Sequence, residues 1–151
     1  MRQRVEASAD RLRRLPSAGA GRTGDPDPAT GEAWNRLHVL GHIAEMLPFW
    51  AARLDAVQRG VDRIGRGDDG YAARRAGIDS GAQAIEADLR GRIEGAIPSV
   101  LDLLSRFEDE DLDRELEYDT AGRTQKVTVG AALELLLVGH LEEHVQQLAE
   151  L

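Results

Sequence analysis

The sequence predicts an all-α four-helix bundle with long crossover loops, on three observations. Aromatic residues make up only 4% of the 151 residues while hydrophobic residues make up 42%, so aliphatic packing carries the interior and a β-sandwich is disfavoured. Apolar residues recur at intervals of three and four over long windows, the signature of helices with one buried stripe. Between those windows the chain turns to Gly, Pro and Asp, which punctuate rather than propagate regular structure. The length suits a single domain over residues 1–151.

Each element follows from this pattern. Val5, Ser8, Leu12 and Leu15 keep helical spacing and stop at Pro16, predicting a first helix over most of Arg2 to Leu15. Ser17 to Pro28 reads as a loop. Asp27 and Pro28 form an N-cap and first-turn pair for a second helix reaching Gln58 or Arg59, bent at Pro48. Gly60 to Ser80 reads as a crossover loop near one end of the bundle. Ile78, Ala82, Ile85, Leu89, Ile93, Ile97, Val100 and Leu104 mark a third long helix, kinked or divided at Pro98. Glu108 to Thr128 is acidic and then extended in character, with Ala121-Gly122 as a turn and a short hairpin as one option. A fourth helix starts near Val129, with Thr128 as its N-cap, and runs to the C-terminus.

Composition excludes several functions. The 27 Asp and Glu outnumber 19 Lys and Arg, for a net charge of −8. With no basic run to meet phosphates, a nucleic-acid partner is not expected. Cysteine is absent, which rules out disulfides, thiolate-ligated zinc, iron–sulfur clusters and a cysteine nucleophile. Any thiol used here must arrive as a ligand. No segment has the roughly 20 apolar residues of a membrane span or the apolar core of a secretory signal, so a cytoplasmic protein is expected, with no membrane partner.

The chemistry concentrates in the histidines. There are four, His38, His42, His140 and His144, in two pairs with a spacing of four. Residues four apart share a helix face, so each pair can aim at one point. On the fourth helix Leu133, Leu136, Leu137, His140, His144 and Leu148 share one face, so imidazole stands where leucine belongs. Burying two polar rings without partners costs several kcal/mol, about 2–7 each by transfer scales. Either a shared metal ion or hydrogen bonds to facing groups and water must satisfy them. The second helix is apolar around most of its circumference, apart from a sector about 80° wide holding Asn35, His38, His42 and Glu45. If that notch faces the His140/His144 stripe, three neutral imidazoles can occupy three corners of a metal polyhedron and leave the rest for water or ligand.

The runs AWNRLHVLGHIAEMLPFW and VTVGAALELLLVGHLEEHVQQLAEL, with Trp34 eight residues ahead of His42, resemble the two signature segments of the DinB-like superfamily. That superfamily includes mycothiol-dependent maleylpyruvate isomerases and bacillithiol S-transferases. The resemblance implies a four-helix bundle binding a divalent metal through one histidine of the second helix and a His-x-x-x-His pair of the fourth. Carried onto this chain, the ligands are His42, His140 and His144. His38 has no counterpart among them and is a candidate to orient His42's neighbourhood, to hydrogen-bond to a ligand, or simply to face outward. Glu45, three residues after His42, is a candidate imidazole acceptor or catalytic base, with a purely structural carboxylate as the plainer alternative.

A three-histidine site suits zinc or nickel first, with iron or cobalt next, and affinity order alone does not choose among them. Such a metal lowers the pKa of a bound water toward about 7 or takes an incoming thiol as thiolate. The resemblance therefore implies a metal-dependent transferase joining a small-molecule thiol of the mycothiol type to an electrophilic substrate. Arg63, Arg66, Arg74, Arg75 and Tyr71 are candidate contacts for that thiol, against the plainer reading of solvated surface. Two other functions fit the same ligands: a metal-dependent hydrolase, and a non-catalytic metal- or ligand-binding stress-response protein. An enzyme should show a cleft lined by the Gly60 to Ser80 segment, and a binding protein a narrow, closed one. The apolar second helix also leaves room for a homodimer.

Overall fold

The computed structural model describes residues 1–26, 31–120 and 122–151. Four long rods pack side by side: α1 (Arg2–Arg14), α2 (Arg36–Gln58), α4 (Glu86–Ser105) and a C-terminal rod. The last is built from α6 (Val129–Leu133), a π-helical stretch (Glu134–Val138) and α7 (Gly139–Glu150). Helix α2 is central, packed against α3 (Gly67–Gly81), α4 and α7, while α1 lies on α4 and α7. The predicted helical bundle is thus present, with a short α5 (Asp109–Leu112) and a small sheet added to it. Its core is aliphatic, with Leu12, Leu40, Ile43, Met46, Leu47, Leu54, Leu89, Ile93, Leu103, Leu133, Leu137 and Leu141 among its fully buried side chains. No helix among the described residues is long and apolar enough to cross a membrane.

Helix α2 begins at Arg36, later than predicted, and the proposed cap at Asp27 and Pro28 lies outside the described residues. Asn35 is the N-cap: its side-chain oxygen accepts from the N–H groups of Leu37 at 3.0 Å and His38 at 3.2 Å. Backbone bonds from Gly24 N to Trp34 O and from Arg36 N to Ala20 O hold the preceding segment out of the helix. Neither Pro48 nor Pro98 ends its helix, and both are exposed, where a missing N–H costs least.

The predicted third helix is in fact two. Helix α3 closes at Gly81, and a turn carries the chain through Ile85, which is extended at φ −75° and ψ 129° and 69% exposed, into α4. The intervals of three and four ran across a turn that preserves them by coincidence. This break lets Glu86 sink to 8% exposure, where its carboxylate accepts from the N–H groups of Ala18 and Gly19 and from Arg90. Arg36, 3% exposed, lies 3.6 Å from Glu86 and donates to the carbonyls of Leu148 and Pro16. One buried charged network therefore ties the α1–α2 connection, α4 and the C-terminus together.

Residues 60–80 are not a loop but β1 (Arg63–Gly65) followed by α3. Gly60 and Gly67 take left-handed turns at either side of β1, at φ 101° and 62°, whereas the glycines further along α3 serve close packing. A Cβ on Gly41 would sit 2.6 Å from the Gly77 carbonyl oxygen and 2.7 Å from Gly81 Cα, and one on Gly81 would sit 2.6 Å from Gly41 Cα. The spacing Gly77-x-x-x-Gly81 lays a smooth helix face against Gly41. Together α3, α4, α7 and β1 cover the apolar surface of α2 within one chain, so that surface does not by itself call for a second copy.

The optional hairpin is real. Strands β2 (Glu115–Thr120) and β3 (Arg123–Thr128) pair antiparallel, and β1 joins β2 in parallel, giving the order β1-β2-β3. Gly122, at φ 79°, supplies the left-handed residue of the turn, while Ala121 lies outside the described residues. On one face Leu116 enters the core, and Tyr118 and Thr120 follow at period two. The hairpin feeds directly into α6, whose N-cap Thr128 accepts from Ala131 N at 3.1 Å, as predicted.

These contacts fix the sign of one substitution. Gly81→Ala gains helix propensity of about 1 kcal/mol, but its methyl meets backbone atoms that cannot rotate away. Net destabilisation of about 1–3 kcal/mol is expected, read as a fall of several degrees in the thermal midpoint. An unchanged or raised midpoint would show that α3 does not lie this close to α2.

Candidate metal centre

Three of the four histidines converge. His42 comes from the second turn of α2, and His140 and His144 from successive turns of α7. One nitrogen from each ring lies within 4.8 Å of the other two. The Nε2 atoms of His42 and His140 are 3.3 Å apart, close to the separation of two nitrogens each about 2.1 Å from one tetrahedral ion. The polar notch of α2 therefore does face the stripe of the last helix. His42 is 2% exposed, and the other two are partly buried.

Burial is the main cause of the electrostatics. It drives the His42 imidazole far below its ordinary pKa, with further depression from His144, His140, Arg74 and Arg66. The His140 pKa is lowered to about 3, by burial first and then by His144 and Arg66. The His144 pKa is lowered by the same desolvation, opposed by its hydrogen bond to Gln147. All three rings are neutral at pH 7, the form that ligates metals.

The far nitrogens are arranged unequally. His144 Nδ1 lies 2.9 Å from Gln147 Oε1, and the Leu136 backbone stands close enough to the His140 ring to oppose the lowering of its pKa. Leu136 sits in the π-helical stretch, where i→i+5 bonding takes carbonyls away from their usual N–H partners. By contrast His42 Nδ1 is buried without a hydrogen-bond partner, its nearest carboxylate being Glu45 Oε2 at 3.8 Å. Glu45 is gripped instead by Arg66, with Nη1 2.8 Å from Oε1 and Nη2 3.1 Å from Oε2. The fit to a cation is thus chemical as well as geometric: one nitrogen of each of three neutral rings lies within 4.8 Å of the other two, and no single proton can satisfy all three.

His38 stands apart from this group. Its Nδ1 is 2.7 Å from Asn35 Oδ1 and 3.3 Å from Asn35 N, completing the capping box of α2 rather than reaching a ligand. Its i+4 relation to His42 therefore reflects the geometry of the helix end. Trp34, a spacing landmark in the sequence, walls the site: its ring centroid is 5.3 Å from that of His42 and 6.0 Å from that of His144. Arg74 lies over the Trp34 ring, 5.3 Å from its centroid, and donates to Glu32 Oε2 at 3.2 Å.

The imidazoles open onto a cavity of about 850 Å³. Of the arginine candidates, Arg66 and Arg74 line it together with Tyr71. Arg63 does not: its Nε lies 2.7 Å from Asp119 on the sheet. Arg75 is exposed on α3 and is absent from the lining. Lining residues that the sequence did not single out include Trp50, Tyr118, Thr120, Gln125, Leu135 and Gln147. The three from the hairpin could have been found only by knowing that β2 folds back beside α2.

The sign of the pH dependence follows from the depressed pKa values. Between an unfolded pKa near 6.5 and the folded values, the unfolded chain binds protons that the native rings refuse, so stability rises with pH. Metal-free protein is expected to lose stability as pH falls from about 7 to 5, by up to ~1.4 kcal/mol per pH unit for each histidine. This window lies above the range of the carboxylates, so denaturant melts across it report the rings. A flat profile would mean that the imidazoles are solvated.

No curated protein and no solved structure matches this chain. The family model described as the DinB superfamily matches residues 1–148, nearly the whole chain, and the chain belongs to that superfamily.

Proposed function

We infer that this protein is a divalent-metal-dependent enzyme that transfers a small-molecule thiol of the mycothiol type to an electrophilic substrate. The observation that carries the reading is the convergence of His42, His140 and His144 on the wall of an open cavity. Those three side chains would hold the ion, zinc or nickel ahead of iron or cobalt. When bound, the ion would supply Lewis acidity and favour the anionic form of a thiol at neutral pH.

The remaining roles fall to the chain. Cysteine is absent, so the nucleophilic sulfur must enter through the cavity. Trp34 and Trp50 line that space with apolar surface that displaces water, and Arg66, Arg74 and Tyr71 bring polar groups from the segment expected to line an enzyme's cleft. A cavity of this volume admits a ligand of drug-like size or larger, which favours turnover over a closed storage site. The same ligands would equally serve a hydrolase acting through water.

Elemental analysis of protein made without a histidine tag should find one divalent ion per chain. His140→Leu should abolish it while leaving the metal-free melting temperature unchanged or higher, because an apolar isostere replaces a buried polar ring. Metal retained by the variant would assign His140 to packing alone. Product analysis of an electrophile incubated with and without thiol separates the chemistries: a thioether product supports the transferase, and thiol-independent cleavage supports the hydrolase.

A further inference from the structure

We propose that Arg66 and Glu45 form a positioning relay for His42: Glu45 is the acceptor for the His42 Nδ1 proton, and Arg66 sets where that carboxylate stands. The proposal rests on the metal reading above and goes beyond it, by assigning two residues that do not themselves reach the ion.

The argument starts from an asymmetry. His144 has a hydrogen-bond partner away from the cluster in Gln147, and the His140 ring has the Leu136 backbone beside it. His42, the most buried of the three, has no hydrogen-bond partner at Nδ1. A neutral imidazole must carry its proton on one nitrogen, and presenting a lone pair at Nε2 toward His140 requires that proton at Nδ1. Leaving a buried N–H without an acceptor is costly. Among the described residues Glu45 Oε2, at 3.8 Å, is the carboxylate beside His42 Nδ1, too distant for a hydrogen bond but on the adjoining turn, three residues along the same helix.

Several features hold this carboxylate near His42. Gly77 admits its stem, since a Cβ there would lie 2.7 Å from Glu45 Cβ and 3.0 Å from Cγ. Arg66, 6% exposed, engages both oxygens as a fork. Arg66 is itself anchored by the Gly70 carbonyl at 3.1 Å and by the rings of Phe49 and Trp50, at 4.4 and 5.1 Å from its guanidinium carbon. The pair is neutral overall, so it can orient the imidazole without placing a net charge beside the cluster. The relay requires one Glu45 oxygen to close the remaining gap to Nδ1 while the other stays on Arg66. Carboxylates placed behind ligating histidines in this way fix the tautomer and strengthen binding.

The test uses Zn(II) titrated against a chromophoric chelator, with nitrogen-15 spectra of the histidine rings in metal-free protein. Glu45→Ala should weaken Zn(II) binding by about 10–100-fold and move His42 from the Nδ1–H tautomer to a mixture. Glu45→Gln, which retains an acceptor oxygen, should recover part of both. Glu86→Gln is the control: it removes a buried carboxylate of the distant Arg36 and Arg90 network, lowering stability without changing Zn(II) affinity or the His42 tautomer. Glu45→Ala with wild-type affinity and tautomer, or equal weakening by Glu86→Gln, would overturn the relay. If the unaltered protein binds no divalent ion, the metal reading fails by itself, and the tautomer measurement still decides whether Glu45 directs His42.

Discussion

Three imidazoles share one desolvated wall of this protein, and much of the surrounding architecture serves that arrangement. Each ring must stay neutral, because burial and the nearness of the others penalise any charge. Each must also offer a lone pair inward and dispose of a proton outward. Those demands account for features that otherwise look unrelated: a π-helical stretch placed just before His140, Gln147 one turn beyond His144, and a partly buried carboxylate with a buried guanidinium behind His42.

Helix α2 bears the largest share of this burden. It lies at the centre of the packing, apolar on nearly every side, so a polar group on it is either satisfied locally or aimed at the site. Asn35 and His38 are consumed by the helix end, Glu45 is held by Arg66, and His42 faces α7. The close approach of α3 is what brings Arg66, Tyr71 and Arg74 to the same cavity. Glycine at 41, 77 and 81 permits that approach, because any larger side chain would meet backbone at 41 and 81 and the Glu45 stem at 77.

Much of this was legible in the sequence because it depends on local periodicity. The spacing of four between His140 and His144, and their alignment with Leu133, Leu137 and Leu148, identify a buried helix face whichever neighbours it has. The absence of cysteine limits the nucleophile with no knowledge of the fold. Less legible were features whose signal is ambiguous in one dimension. Glycines at 70, 77 and 81 look the same whether they break a helix or smooth one, and the run from Ile78 to Leu104 kept its intervals across a turn. The hairpin carried only a weak alternation, because its outer face holds charges and its inner face lines a cavity.

The sequence by itself determined which residues are capable of metal chemistry, that no thiol of the chain can take part, and that the fold is built from aliphatic helices, since these follow from side-chain identity and helical period. The family resemblance already named His42 rather than His38 as the partner of the pair on α7, and that pairing is brought together only by the tertiary structure. Only it showed that Arg66 and Arg74, not Arg63 and Arg75, reach the cavity, and that Glu45 stands between Arg66 and His42. Those outcomes depend on the angles and contacts between elements far apart in the chain, and no local pattern encodes the packing that sets them.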